Sequence, residues 1–363
     1  MSRPVQARIN LQHIEHNFSL ARQCAPGARV MAVIKANAYG HGAAKVAHQL
    51  SRADAFGVAS IEEAIELDEA GVEQPLVLLG GVFESEEWAT IEQRGFQAVI
   101  HSRAQLQSFL DHPVAGATAS FVIWLKLDTG MHRLGFTESE FIDAREYLRA
   151  SGKVSEVIAM SHLACADEPE HSLTKSQTKQ FTRVISHHGG AKSLANSAAL
   201  LICPETHFDW VRPGIMLYGA NPLSESLPES LLLHPAMTLT SRLVEVRAVA
   251  AGETIGYGAQ WQAPRSSLIG TVAIGYGDGY PRHACAGTPV LVKGRRAPLV
   301  GRVSMDFITV DLSHISEARA GDEVELWGEG VAVEEVAASS GTISYELLTG
   351  VSHRVPRKYI GVG

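Results

Sequence analysis

Seven polar side chains stand at or just past the ends of short apolar runs: Lys35, Lys126, Asp128, His162, Asn196, Ser197 and Arg212. Lys35 carries the sharpest signal. It follows three apolar residues in AVIKANAYGHG and precedes a turn containing glycine. Burial disfavours an ammonium, so a lysine placed there is biased toward the neutral amine. A neutral amine condenses with an aldehyde to a Schiff base. That chemistry suits pyridoxal phosphate; the bland alternative is a lysine snorkelling from a rim. A phosphate also needs hydroxyls and N–H groups. Ser197 opens the helix-like run SAALLI, and helix starts favour anions. In Arg212-Pro213-Gly214-Ile215 the glycine lets backbone approach a ligand closely, although RPG also reads as a plain turn. Further on, IGYGA (255–259), AIGYGDGYP (273–281), VSMD (303–306) and ISYE (343–346) set tyrosines, Met305 and Asp306 among turn residues. No HExxH, P-loop or GxSxG is present. His162 and Cys165 have zinc-like spacing without a second ligand pair, so no metal site is expected.

Such residues need a scaffold that gathers strand ends. Eight apolar runs supply one: VMAVIKAN (30–37), AFGVAS (55–60), PLVLLGG (75–81), FQAVI (96–100), SFVIWLKLD (120–128), SEVIAMSH (155–162), KSLAN (192–196) and HFDWVRPG (207–214). Their near-continuous apolar character fits strands buried on both faces of a parallel sheet. Amphipathic runs follow them. Ser60 with Glu63, Ser102 with Gln105, and Thr137 with Glu140 each read as a capping box opening a helix. Eight βα units in about 220 residues is the arithmetic of a closed (β/α)8 barrel. An open doubly wound sheet is the alternative, but no dinucleotide fingerprint follows the first strand. After the Pro- and Ser-rich stretch 220–235, the pattern becomes short strands between Gly and Pro turns, with helices near 333–340 and 345–350. The expected domains are a barrel over 1–228 and a mainly β domain over 229–363. In a barrel the reactive groups belong at the C-terminal strand ends, and the loops after strands seven and eight form the usual phosphate site. The polar residues fall in those places.

The composition excludes several classes. Lys and Arg number 31 against 39 Asp and Glu, giving a net charge of −8, and no block of like charges occurs. Wrapping nucleic acid is therefore not expected. Cys24, Cys165, Cys203 and Cys285 are widely spaced without a CxxC pair, which suits a reducing cytoplasm better than a disulfide framework. The N-terminal MSRPVQARINLQHIEHNF has no apolar core of a signal peptide, and no run approaches the roughly 18 apolar residues of a membrane helix.

With AVIKANAYGHG, KLDTGMHRLG, SHLACAD, FDWVRPGIMLYG, GYGDGYPR, GRVSMD and LWGEG in that order, the chain resembles the alanine racemases, fold-type III pyridoxal-phosphate enzymes. The resemblance runs over almost the whole length. It implies a barrel with a C-terminal β domain, alanine as substrate, and head-to-tail homodimers with shared active sites. By motif, it makes Lys35 the cofactor lysine and one catalytic base, and Tyr257 the opposite base, contributed by the partner subunit. Tyr39, Ser197, Gly214, Ile215 and Tyr345 would hold the phosphate, with Asn196 beside them. Arg212 would face the pyridine nitrogen, and His162 would link Arg212 to Tyr257. Arg133 and Met305 would position the substrate carboxylate, with Tyr276 narrowing the entrance and Asp306 on the substrate side. Lys126 would be the lysine that is carbamylated in many members. Two bases on opposite faces of the cofactor invert Cα without turning the substrate over. Arginine cannot accept the pyridine proton, which favours racemisation over transamination. The expected role is making D-alanine for peptidoglycan or degrading alanine. A broad-specificity amino-acid racemase and a decarboxylase of the same fold are the alternatives. The small pyridoxal-binding homeostasis barrel lacks a β domain and fits less well.

Overall fold

The computed structural model describes residues 3–114, 121–186 and 189–361. The first nine strands are β1 (Gln6–Asn10), β2 (Arg29–Val33), β3 (Ala55–Val58), β4 (Leu76–Leu78), β5 (Gln97–Ile100), β6 (Phe121–Lys126), β7 (Val154–Met160), β8 (Lys192–Ser193) and β9 (Trp210–Val211). β2 to β9 pair in parallel, and β9 bonds back to β2, closing an eight-stranded barrel. Each of the eight apolar runs supplies one strand. Ser120, the first residue of the fifth run, lies outside the described residues. The strands are buried on both faces, as their composition requires. Helices cover the outside. Inside, Met31, Ala55, Val77, Val99, Trp124, Ile158, Met160 and Trp210 fill the lumen. Trp124 and Trp210 meet edge to face at 5.2 Å, and Trp124 Nε1 donates to Gln97 Oε1 at 2.8 Å. The barrel is thus plugged by a packed core, and a ligand has room only above it, at the C-terminal rim.

The three expected capping boxes have three fates. Glu140 accepts from the Thr137 N–H at 3.1 Å and from its hydroxyl at 2.8 Å, opening helix Glu138–Ala150. Ser102 accepts from the Gln105 N–H at 3.3 Å, but the Gln105 amide turns inward to Val82 O. Ser60 makes no side-chain cap, and Glu63 instead accepts from the backbone of Ala36 and Ala59. That diversion matters for the site.

The second half forms β10 (Met237–Val249), β11 (Thr254–Ile255), β12 (Trp261–Gln262), β13 (Ser267–Val272), β14 (Pro289–Val292), β15 (Arg295–Val300), β16 (Ile308–Asp311), β17 (Glu323–Trp327) and β18 (Arg357–Ile360). β10 runs long enough to pair with β17 in its first half and β13 in its second, so the sheet curls back on itself. Helices Val333–Ser339 and Ser344–Gly350 stand where the sequence placed them. One difference concerns the start of the chain. β1, inside the range 1–228 assigned to the barrel, pairs with β10 and β18 in the second sheet. Its alternating ARIN pattern, buried at Ala7 and Ile9, is that of a strand with one buried face and not of a barrel strand.

Candidate active site

Eleven of the residues singled out from sequence line one cavity of about 790 Å³: Lys35, Tyr39, Lys126, Arg133, His162, Asn196, Ser197, Arg212, Gly214, Ile215 and Tyr345. All but Tyr345 come from the C-terminal ends of barrel strands or the loops after them. Tyr345 and Thr349 reach in from helix Ser344–Gly350 of the second domain.

Lys35 follows β2 after one residue, Ile34, and begins an unusual turn. Ala36, Asn37, Ala38 and Tyr39 all have φ between +50° and +53°, a left-handed turn built without glycine. Such residues cost about 1–2 kcal/mol each. Local bonds hold them. Glu63 accepts from the Ala36 N–H at 2.7 Å, Asn37 Oδ1 accepts from the Ala43 N–H at 2.8 Å, and His41 Nδ1 donates to Ala38 O and Tyr39 O. His41 is fully buried and stacks on Tyr218 at 4.5 Å. Burial holds its pKa down to about 4, so it stays neutral. Gly40 and Gly42 follow, and a Cβ on either would collide with Leu348 O or the Tyr359 hydroxyl of the second domain. The turn that aims Lys35 is therefore pressed against the neighbouring domain. Strain of this kind concentrates at functional sites.

The cavity is lined by four cationic side chains, Lys35, Lys126, Arg133 and Arg212, and by one carboxylate, Glu346. The cations act on one another. Burial, then Arg133, lowers the Lys35 pKa, with Glu63 opposing. Burial, then Arg212 and Arg133, brings Lys126 down to about 8. Burial alone takes Arg212 to about 10, which leaves it charged at neutral pH. A cluster with this excess of positive charge is a receptor for anions. Arg212 is fixed by Ser193 Oγ at 2.5 Å and Ser161 O at 2.7 Å. Its Nη2 also lies 3.3 Å from His162 Nδ1. Arginine can only donate, so Nδ1 accepts and the His162 proton sits on Nε2. Burial and the surrounding cations keep that imidazole well below the usual histidine range. The expected Arg212–His162 link is in place.

The anion cradle is equally specific. Ser197 Oγ accepts from the Gly214 N–H at 2.8 Å and so ties the two loops after β8 and β9 together. A Cβ on Gly214 would lie 2.8 Å from the Tyr39 hydroxyl, so glycine lets that phenol approach the loop backbone. Burial raises the Tyr39 pKa, and Tyr345 is pushed up to about 12, so both remain proton donors. Hydroxyls, N–H groups and cationic excess fit a phosphate-bearing aldehyde, with Lys35 as the amine that would hold it.

Four expected site residues do not reach this cavity. Tyr257 is 70% exposed, Met305 52% and Tyr276 42%, all on the second domain. Asp306 is bonded to Arg3 and Arg354, so its carboxylate ties its loop to the start of the chain and to the segment before β18. Asp128, at the end of β6, also turns away. It accepts from the Gly130 and His132 N–H groups and shapes the loop that presents Arg133.

Residues 9–222 match the alanine racemase N-terminal domain, and residues 236–359 match its C-terminal domain. The chain belongs to the alanine racemase family. An alanine racemase of Pseudomonas aeruginosa, described as biosynthetic, is 50% identical over 98% of this chain and 99% of its own. One of Pseudomonas putida, described as catabolic, is 47% identical over 99% of each. The crystal structure of alanine racemase from Bartonella henselae with covalently bound pyridoxal phosphate is similar at 31% identity, with a TM-score of 0.88 and coverage of 98% of this chain and 99% of that one. The alanine racemases are pyridoxal-phosphate enzymes, and the closed barrel with its mainly β second domain is their fold. Among the described residues no helix is long and apolar enough to cross a membrane. The sequence reading missed Glu63, which it had assigned to a helix cap. The S-x-x-E that follows the second barrel run puts a carboxylate beside the strand carrying Lys35, and that adjacency was the available signal.

Proposed function

We propose that this chain interconverts L-alanine and D-alanine in the cytoplasm, with pyridoxal phosphate held on Lys35 and each site completed by the second chain of a homodimer. One observation carries this: a cationic cavity surrounds a half-buried amine, while Tyr257, Tyr276 and Met305 lie on an exposed face of the other domain. When bound, the cofactor supplies an aldehyde for the substrate amine and a ring that draws electrons from Cα. Tyr39, Ser197, Tyr345 and the Ile215 N–H would hold the phosphate, with Gly214 letting the Tyr39 phenol come close and Asn196 shaping the Ser197 turn by accepting from the Ala199 N–H. Arg212 would face the ring nitrogen, and a guanidinium, which only donates, would keep that nitrogen unprotonated. Arg133 binds the substrate carboxylate. Lys35 works at one face of Cα and Tyr257 of the partner subunit at the other, one removing a proton and the other delivering one. Met305 of the partner subunit positions the substrate carboxylate with Arg133, and Tyr276 of the partner subunit narrows the entrance.

The test follows substrate in D2O. Holoenzyme given L-alanine should produce D-alanine to near equality, with deuterium at Cα of both enantiomers and no CO2. Release of CO2 would indicate a decarboxylase. Equal turnover of bulkier amino acids would indicate a broad-specificity racemase.

Lys126 carries a separate prediction. It is buried at 8% exposure, and Arg212 and Arg133 face it. A free ammonium there repels Arg133; a carbamate, formed when the neutral amine adds CO2 and loses a proton, pairs with it. The neutral amine becomes the major form as pH rises through about 8. Lys126→Ala should lose roughly 100-fold in kcat/KM, the scale of a misplaced binding group. Added acetate should restore part of it by standing in for the carboxylate. Undiminished activity in Lys126→Ala would show the carbamate to be unnecessary.

A further inference from the structure

The loops bearing Tyr276 and Met305 are one rigid unit. The Tyr276 N–H donates to Ser304 O at 3.0 Å, and the Gly277 N–H donates to Met305 O at 2.9 Å. A Cβ on Gly275 would collide with Ser304 O and Met305 O, so the backbones touch where no side chain could fit. At the centre sits Asp278, fully buried. Its Oδ2 accepts from the Gly275 N–H at 3.1 Å and from Arg3 Nη2 at 2.7 Å. Arg3 Nη1 continues to Asp306 Oδ1 at 3.0 Å. Arg354 Nη2 donates to the same oxygen at 2.6 Å, and Arg354 Nε lies 3.5 Å from Asp278 Oδ1. Two carboxylates and two guanidiniums form a closed ring across the start of the chain, both loops and the segment before β18.

We infer that Arg3 is a positioning residue for the racemisation: it fixes the loop pair that presents Tyr276 and Met305 to the partner subunit's cavity. The inference rests on the shared-site reading above. A buried carboxylate is tolerated only when paired, and removing one partner leaves it exposed to repulsion. Without Arg3, Asp278 and Asp306 share Arg354 alone, so the ring gains a net negative charge between the two loops. The loops then part, and the surface that closes on the substrate is displaced. The fold itself does not depend on Arg3. β1 is held between β10 and β18 by its own ladder, and Val5 is buried ahead of it. That ladder also explains how a residue so near the chain start is delivered to a fixed place.

The test uses purified dimers of two differently tagged chains. One chain carries Lys35→Ala and the other Tyr257→Phe, so the surviving site takes Lys35 from the second chain and Tyr257 with its loops from the first. Arg3→Met on the Lys35→Ala chain should raise KM for alanine about tenfold, below the ~100-fold that a 1 Å misplacement can cause. kcat should change less than KM. The same substitution on the Tyr257→Phe chain should leave KM unchanged. Arg3→Lys on the first chain should recover part of the loss, because an ammonium still lies between the carboxylates. Cofactor absorbance and dimer mass should match the parent dimer, while the melting temperature should fall, because the buried Asp278 loses its closest cation. An unchanged KM, or an equal effect from either chain, would overturn the inference. So would a KM change accompanied by lost cofactor or by dissociation of the dimer. If the parent mixed dimer has no activity, the shared-site reading fails, and the Arg3 inference fails with it.

Discussion

Lys35→Ala should abolish racemisation, with a fall of at least ~10⁴-fold, the upper range for one general base. Reduction of the wild-type holoenzyme with borohydride should fix the cofactor on the peptide containing Lys35. Lys126 is the competing amine: it is the more buried of the two and has its pKa lowered to about 8. What separates them is neighbourhood. Lys35 begins the left-handed turn whose last residue, Tyr39, lies beside Gly214 and hence beside the phosphate cradle. Lys126 has Arg212 and Arg133 as its main electrostatic neighbours, the groups set to face the ring nitrogen and the carboxylate. The cradle survives in Lys35→Ala, so the variant should still take up pyridoxal phosphate, released freely on dialysis. A borohydride label on Lys126, or activity retained in Lys35→Ala, would overturn the assignment.

The barrel was legible because its strands are buried on both faces, and continuous apolar runs report that directly. The rim was legible for a related reason. A lysine, a histidine or an arginine at the end of such a run has no packing role to explain it. The β character of the second domain was plain from its Gly and Pro turns, but the length of β10 and its double pairing were not, since register with two partners depends on distant strands. β1 was missed because a five-residue strand with one buried face looks like any extended N-terminal segment. Its partners, β10 and β18, lie more than 200 residues away in sequence.

The finer parts of the site were hidden by non-local bonding. Glu63 has the spacing of a capping residue, and locally that is the correct inference. It loses to tertiary structure because the Ala36 N–H, in a left-handed turn, needs an acceptor more than the helix start does. Asp306 was placed on the substrate side by resemblance, yet it spends its carboxylate on Arg3 and Arg354. No local pattern announces an ion pair that spans 303 residues.

Mixed dimers should show that each site needs two chains. The cavity of one chain contains Lys35 and the anion cradle but none of Tyr257, Tyr276, Met305 or Asp306. Tyr257 instead lines a shallow pocket with Arg302, Ser304, Phe307 and Ile308 on the second domain. Phe307 is 46% exposed, so with Tyr257, Tyr276 and Met305 it makes an apolar patch that calls for a partner. A two-fold arrangement of head-to-tail chains would bring that patch over the neighbouring barrel mouth, twice per dimer. A Lys35→Ala chain and a Tyr257→Phe chain should each be inactive, or nearly so, as homodimers. In the heterodimer one site receives both lesions. The other receives the intact Lys35 of the second chain and the intact Tyr257 of the first. Purified heterodimers should therefore regain about half the wild-type activity by symmetry. Were both residues drawn from the same chain, every site would carry one lesion and nothing would be regained. The assay must run in both directions. Loss of the tyrosine removes the base on one face only, and a residual one-way proton exchange in the Tyr257→Phe homodimer would otherwise pass for complementation.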